Sequence, residues 1–162
     1  MDVISSINNR KSIRKYKKDP VLKDALEQIL ESARMAPSAG NRQPWHFIII
    51  TDPKIKQLLG ISSWAANAPI ILVGCVDTTI KPPPKCYIDG AIAFDHIILT
   101  ATHFGLGSCW MGMLGDDQQI KKVLSIPEHI HVFAITPLGY PDETGKSKIR
   151  KPLSEIVHYN EF

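Results

Sequence analysis

The chain has 162 residues, 44% hydrophobic and 22% charged, with 19 Lys and Arg against 16 Asp and Glu for a formal net charge of +3. That length suits one domain over residues 1–162, which buries about 68 to 70% of its unfolded surface without staples, and so slight a basic excess is too small to argue for general nucleic-acid binding. Cys75, Cys86 and Cys109 are odd in number and lack CxxC spacing, which argues against a disulfide framework or a zinc ribbon and for a reducing cytoplasm.

The first residues, "MDVISSINNR", show no basic start followed by an apolar segment, and the longest apolar run, "APIILVGCV", is far short of a membrane span. The expectation is a soluble protein, neither exported nor membrane-inserted.

Val3, Ile4 and Ile7 recur at helical spacing behind Asp2, which predicts a short capped helix. The stretch "NNRKSIRKY" (8–16) leaves it, setting Arg10, Lys11 and Arg14 around Ser12 with no acidic residue. In an extended chain Arg10, Ser12 and Arg14 share one side, and guanidinium forks beside a hydroxyl suit either an anion or a solvated surface. "DPVLKDALEQILESARMAP" predicts the strongest helix, with Asp19 as cap, Pro20 in the first position, an apolar face of Leu22, Ala25, Leu26, Ile29, Leu30 and Ala33, and Pro37 as its stop.

"WHFIIIT" and "PIILVGCV" read as buried strands, short and rich in branched residues, and a "KPPP" loop follows. From about residue 88 to 104 the pattern is helical and apolar nearly all round, which places that helix within a core or at an interface, with Gly105 and Gly107 breaking it. "SCWMGML" reads as a short strand or loop, "DDQQIKKVLSI" as a surface helix begun by Asp116 or Asp117, and "HVFAITPLGY" as a strand. The tail is polar and basic with an apolar patch at Leu153, Ile156 and Val157. Alternating strand and helix runs predict one α/β or α+β domain.

Several familiar signals fail on inspection. "GLGSCW" places Trp110 where a dinucleotide fingerprint needs its third glycine. "TGKS" has Tyr140 where a P-loop needs its first, and Ser108 lacks the flanking glycines of a nucleophile elbow. His129 with His131, and His96 with His103, have no carboxylate or cysteine at ligand spacing and read as structural. Cys109 reads as a small buried hydrophobe.

A chain without an evident acid, base, nucleophile or metal site, yet rich in groups suited to hold a ligand, points to a cofactor that supplies the chemistry. The turn "PSAGNRQPW" (37–45) presents Ser38, Asn41, Arg42 and Gln43, and amides that pair a donor with an acceptor can read the imide edge of a pyrimidine-like ring. A second basic group, Lys146, Lys148, Arg150 and Lys151, can meet the first on a phosphate. A flat heterocycle with a phosphate tail describes flavin mononucleotide (FMN).

At this point the sequence resembles the nitroreductase family of flavin oxidoreductases that use nicotinamide cofactors. "RKSIR" is similar to its phosphate motif, "APSAGNRQPW" to its ring-binding turn, "GLGSCWMG" to its flavin-face segment and "GYPDETGKSKIRKPLSEIV" to its C-terminal signature, in the family's order from residue 10 to 157. The resemblance implies an α+β three-layer sandwich with a mostly antiparallel central sheet, forming an intertwined homodimer with FMN in clefts shared by both subunits. It further implies that Arg10, Lys11, Ser12 and Arg14 hold phosphate and ring edge together with Lys148 and Arg150. Pro37, Ser38, Asn41 and Gln43 would line the ring, the first two from the partner subunit. Trp110, Met111, Gly112 and Met113 would lie against the flavin, a backbone N–H of Gly112 or Met113 facing its N5, and no side chain would be catalytic.

The implied activity is hydride transfer from NADH or NADPH through FMN to a nitroaromatic, quinone or similar acceptor. Open alternatives are a specialised relative (a dehalogenase, a ring dehydrogenase or a flavin-fragmenting enzyme) and a flavin storage or redox-sensing protein. Two departures stand out: the chain is shorter than many members between the second strand and the long helix, and Lys11 fills a place often held by arginine, keeping the charge without the planar fork.

Overall fold

Two long strands send side chains to both faces of a sheet and give the protein two cores, the alternation in the longer strand being broken by a bulge at Phe133. In β2 (Ile70–Asp77), Ile70, Leu72 and Val76 enter one core while Ile71, Val73 and Cys75 enter the other. In β5 (Ile130–Gly139), Phe133 and Leu138 face the first core and Val132 and Ile135 the second. The computed structural model describes residues 2–113, 117–146 and 148–162.

The sheet runs β1 (Trp45–Ile50), β2, β5, β3 (Gly107–Ser108), and β4 (Met111–Gly112) also pairs with β5; every one of these pairings is antiparallel. Strand β1 is an edge strand, and five of its six residues stay partly or fully accessible, so of the two strands expected to be buried only β2 is.

Helices α2 (Lys23–Arg34) and α5 (Lys85–His103) cover the first core, and α3 (Pro53–Leu58), α4 (Ser63–Ala66) and α6 (Gln118–Leu124) lie on the second side. This is the three-layer α+β arrangement. Helix α1 (Val3–Asn9) forms where expected, the Ser5 N–H donating to Asp2 Oδ1 at 2.9 Å.

Helix α2 begins three residues after the expected Pro20, because Leu22 is extended (φ −62°, ψ 136°) and the extended stretch lets Val21 pack on the core. Its end at Arg34 leaves Ala36, the residue before Pro37, outside the helix, as proline's ring demands. Helices α3 and α4 were not anticipated. The available signal was Asp52-Pro53, where the Asp52 carboxylate accepts the Lys54 N–H at 2.7 Å and Pro53 takes the first turn.

Helix α5 buries Ala93, Phe94, Ile97 and Ala101 but leaves Ile88 58% exposed. It rides close over the sheet because Gly90 has no side chain: a Cβ there would stand 2.6 Å from Val76. It closes at left-handed Gly105 (φ 73°), with Leu106 N–H bonding Ala101 O and Gly105 N–H bonding Thr102 O, a Schellman motif. Helix α6 starts after Asp117, whose carboxylate accepts the Val132 N–H and ties the helix to β5 without capping it; Asp116, the other expected start, lies outside the described residues. Contrary to a pure surface helix, α6 buries Ile120 and Lys121.

Candidate functional site

Ile13 anchors the basic N-terminal stretch. It is buried, its N–H donates to Ser108 O at 2.9 Å, and Gly107 leaves it room, since a Cβ at Gly107 would meet Ile13 at 2.8 Å. With Ile13 turned inward, Ser12 and Arg14 turn out. Arg14 lies over the Trp64 ring, 5.7 Å from its centroid.

The C-terminal stretch zips onto the same chain segment. Lys17 N–H donates to Tyr140 O, Asp142 N–H to Lys15 O, and Lys15 Nζ pairs with Asp142 at 2.9 Å. Glu143 accepts the backbone N–H groups of Arg14 and Lys15. Gly145 has φ 63°, and a Cβ there would stand 2.9 Å from Ile13 and 3.0 Å from Lys11.

These contacts bring Arg10, Lys11, Ser12 and Arg14 together with Lys146, Lys148 and Arg150 around one cavity of about 870 Å³. Six cations face a single carboxylate, Glu143, whose bonds go to backbone N–H groups. Among the described residues, the side chains of Arg10, Lys146, Lys148 and Arg150 have no ion-pair partner. Lys151 departs from the expected group and pairs with Glu155 at 4.0 Å. Glu143 and Gly145 were not singled out from sequence; Gly145 beside the basic run was the readable hint.

The turn at 37–43 is a different kind of structure. Gln43 N–H donates to Ser38 Oγ at 3.0 Å, Gln43 Nε2 donates to Asn41 O at 3.1 Å, and Ala39 N–H donates to Asp89 Oδ1 at 3.2 Å. Gly40, Asn41 and Gln43 all lie in the left-handed region (φ 66°, 52° and 49°), which for Gln is a strained conformation held by its surroundings. None of Pro37, Ser38, Asn41 and Gln43 lines the basic cavity.

Nor do Trp110, Met111, Gly112 and Met113. Trp110 packs edge-on against Phe94 with centroids 4.7 Å apart. The Met113 N–H donates to Phe133 O at 3.0 Å and is thereby spent on the sheet. Since bonded and non-bonded pairs alternate along antiparallel strands, the Gly112 N–H then points away from β5. Of the two expected donors, Met113 is thus bonded within the sheet, whereas the Gly112 N–H is turned away from β5.

The histidines and cysteines weighed in the sequence have local partners or are buried. His131 Nδ1 lies 2.8 Å from Tyr87 Oη and His96 Nδ1 2.9 Å from Ser32 O, and among the described residues no cluster of three His, Cys, Asp or Glu suits a metal. Cys75, Cys86 and Cys109 are buried and unpaired, and burial pushes the Cys75 thiol up to about 12. Among the described residues, no helix is long and apolar enough to cross a membrane.

A family model described as the nitroreductase family matches residues 7–71 and 56–140, most of the chain. The chain belongs to the nitroreductase family. A Methanothermobacter thermautotrophicus protein, whose name joins NADH dehydrogenase with NAD(P)H nitroreductase, is 35% identical over 151 residues, covering 88% of this chain and 79% of its own. An FMN reductase [NAD(P)H] from Bacillus subtilis is 26% identical, covering 99% of this chain and 74% of its own. The structure of an FMN-dependent nitroreductase from Clostridium difficile superposes with a TM-score of 0.84 at 33% identity, over 98% of this chain and 99% of that one. The nitroreductase fold expected from the sequence motifs is thus the observed one.

Proposed function

We propose that this nitroreductase-family chain is a single-domain, FMN-dependent oxidoreductase that takes hydride from NADH or NADPH and passes reducing equivalents to nitroaromatic, quinone or similar acceptors. The observation that carries the reading is the basic cavity. Six cations and the Ser12 hydroxyl converge from segments about 130 residues apart, and glycine at 145 lets the C-terminal segment close onto Ile13 and Lys11, where a Cβ would clash. That donor set suits a phosphate dianion, for which each charge-assisted bond contributes about 1.5 to 3 kcal/mol. FMN therefore fits at its phosphate end, and the names of the two flavin-linked relatives agree.

When bound, FMN supplies the hydride chemistry. The protein's own groups hold and tune it. Arg10, Lys148 and Arg150 neutralise the phosphate, with Lys11, Ser12 and Arg14 reaching toward the ring. Asn41 and Gln43 would read the ring's polar edge, and the Gly112 N–H would be the donor that stabilises negative charge developing on it.

The ring turn stands apart from the phosphate cavity of its own chain, which supports a homodimer in which Pro37 and Ser38 complete the partner's site. Exposed Val3, Ile4, Ile88, Leu153 and Ile156 supply apolar surface for that union. Three free cysteines favour a reducing, cytoplasmic setting. Donor and acceptor would use one cleft in turn, which is a ping-pong scheme with parallel double-reciprocal lines.

Calorimetry with FMN and riboflavin tests the reading. FMN is expected to bind at least about a hundredfold more tightly, because riboflavin leaves the cations without an anion; equal affinities would remove the basis of the proposal.

A further inference from the structure

A second basic cleft lies beside the ring turn. It has a volume of about 590 Å³, within the range of small-molecule sites, and its walls include Ala39, Gly40, Arg42, Lys81, Lys85 and Asp89. Three cations and one carboxylate line it, but the carboxylate is already committed. Asp89 and Lys81 form an ion pair at 2.9 Å with side chains only 6% and 9% exposed, and the other Asp89 oxygen accepts the Ala39 N–H. This pair fixes the floor of the cleft to the turn and cancels its own charge.

Arg42 and Lys85 remain. Both are exposed, and among the described residues neither has a hydrogen-bond or ion-pair partner. Arg42 is directed by the turn: Gly40 is left-handed, and Arg42 Nε lies 3.6 Å from where a Cβ on Gly40 would stand, so the side chain folds across that open position. Two uncompensated cations, one a planar fork, thus flank a cleft whose wall is the segment read above as holding the flavin ring.

We propose that this cleft is an anion subsite for the electron donor: it takes the adenosine 2′-phosphate of NADPH and so makes NADPH the preferred reductant. The inference rests on the flavin oxidoreductase reading and adds to it a choice of donor. A phosphate monoester is largely dianionic near neutrality and offers three acceptor oxygens, which match the Arg42 fork and the Lys85 point charge. NADH, with a hydroxyl at that position, leaves both cations unpaired.

The binding test uses the flavin-loaded protein and needs no turnover. In calorimetry, adenosine 2′,5′-bisphosphate is expected to bind at least about tenfold more tightly than adenosine 5′-monophosphate, and Lys85→Glu or Arg42→Gln to shrink that ratio to under about threefold. Equal affinity for the two nucleotides in the unmodified protein would overturn the proposal. So would a ratio that survives both substitutions, or inorganic phosphate competing as well as the bisphosphate.

In steady state, compared per bound flavin, the NADPH-to-NADH ratio of kcat/KM is expected to fall by about tenfold in Lys85→Glu, and an unchanged ratio counts against the subsite. Should neither nicotinamide reduce the flavin, it is the oxidoreductase reading that fails, and the nucleotide titration still decides the subsite.

Discussion

The basic cavity and the ring turn are built in opposite ways. The cavity is assembled by long-range contacts: residues 14–17 and 140–143 are stitched together by backbone and carboxylate bonds, and among the described residues the cations Arg10, Lys146, Lys148 and Arg150 are left without an ion-pair partner. The turn is assembled locally, Ser38 and Asn41 bonding Gln43 within six residues, and it carries three left-handed residues in a row of four. Electrostatic repulsion is the cost in the first region and backbone strain in the second. A cluster of unpaired charge is complete as soon as an anion arrives, whereas a strained turn that does not reach the same cavity needs a second surface to act on. On the proposed reading, one chain would therefore supply a phosphate site in full and a ring site in part.

The largest expected effect tests the cavity half of this contrast. Replacing both Arg10 and Arg150 by alanine should remove about 3 to 6 kcal/mol of FMN affinity while leaving riboflavin binding nearly unchanged. Flavin content after dialysis and calorimetric titration measure it. Equal losses for the two flavins would mean that these arginines act on the ring or on folding.

The next effect concerns the frame under both regions. Burial raises the Cys75 thiol from 9.0 to about 12, with Asp117 nearby adding to the rise. A folded-state value above the unfolded one means that the stability tied to this proton is fully present below pH 9 and is lost as pH climbs toward 12, by about 4 kcal/mol in all. Denaturant melts of the protein and of Cys75→Val across that window should diverge, the variant losing less. Identical alkaline slopes would mean that Cys75 does not couple to folding.

A smaller effect separates backbone from side chain in the turn. Asn41 sits at φ 52°, so Asn41→Ala adds about 1 to 2 kcal/mol of left-handed strain that Asn41→Gly avoids. If the amide reads the flavin, both variants shift the flavin's reduction potential, and only the alanine variant also lowers the melting temperature. A potential left unmoved in Asn41→Gly would reduce the turn to a scaffold.

How legible this site was in the sequence follows the same division. The basic stretch at 10–14 could be read because charge without counter-charge is visible in one dimension, and Asp2, β2 and α5 because capping and burial patterns are local. The start of α2 could not, since Val21 is pulled into an extended stretch by a core that residues distant in sequence create. Helices α3 and α4 are too short for a periodic pattern to show. Glu143 could not be assigned either: an isolated acid in "PDETG" acquires meaning only when its carboxylate meets the backbone of Arg14 and Lys15. That the Met113 N–H bonds the sheet while the Gly112 N–H turns away needed the register of β4 on β5, which no composition or spacing contains.

The smallest effect is the one expected where side chains are bystanders. Ser108, on β3, and Cys109, just past its end, are buried, and the Cys109 N–H donates to Thr136 Oγ1. Alanine at either position should leave turnover per bound flavin within about tenfold, near 1.4 kcal/mol in barrier. Loss of turnover in Cys109→Ala with flavin content intact would give the thiol a chemical role.

The central claim is that this nitroreductase-family protein moves hydride from a nicotinamide through its flavin, and anaerobic stopped-flow absorbance tests it most directly. Mixing the yellow, flavin-loaded protein with NADPH, or more slowly with NADH, should bleach the flavin band within the turnover time, and a quinone added afterwards should restore it. A band that stays unchanged with both donors, in protein that retains its FMN, would contradict the account.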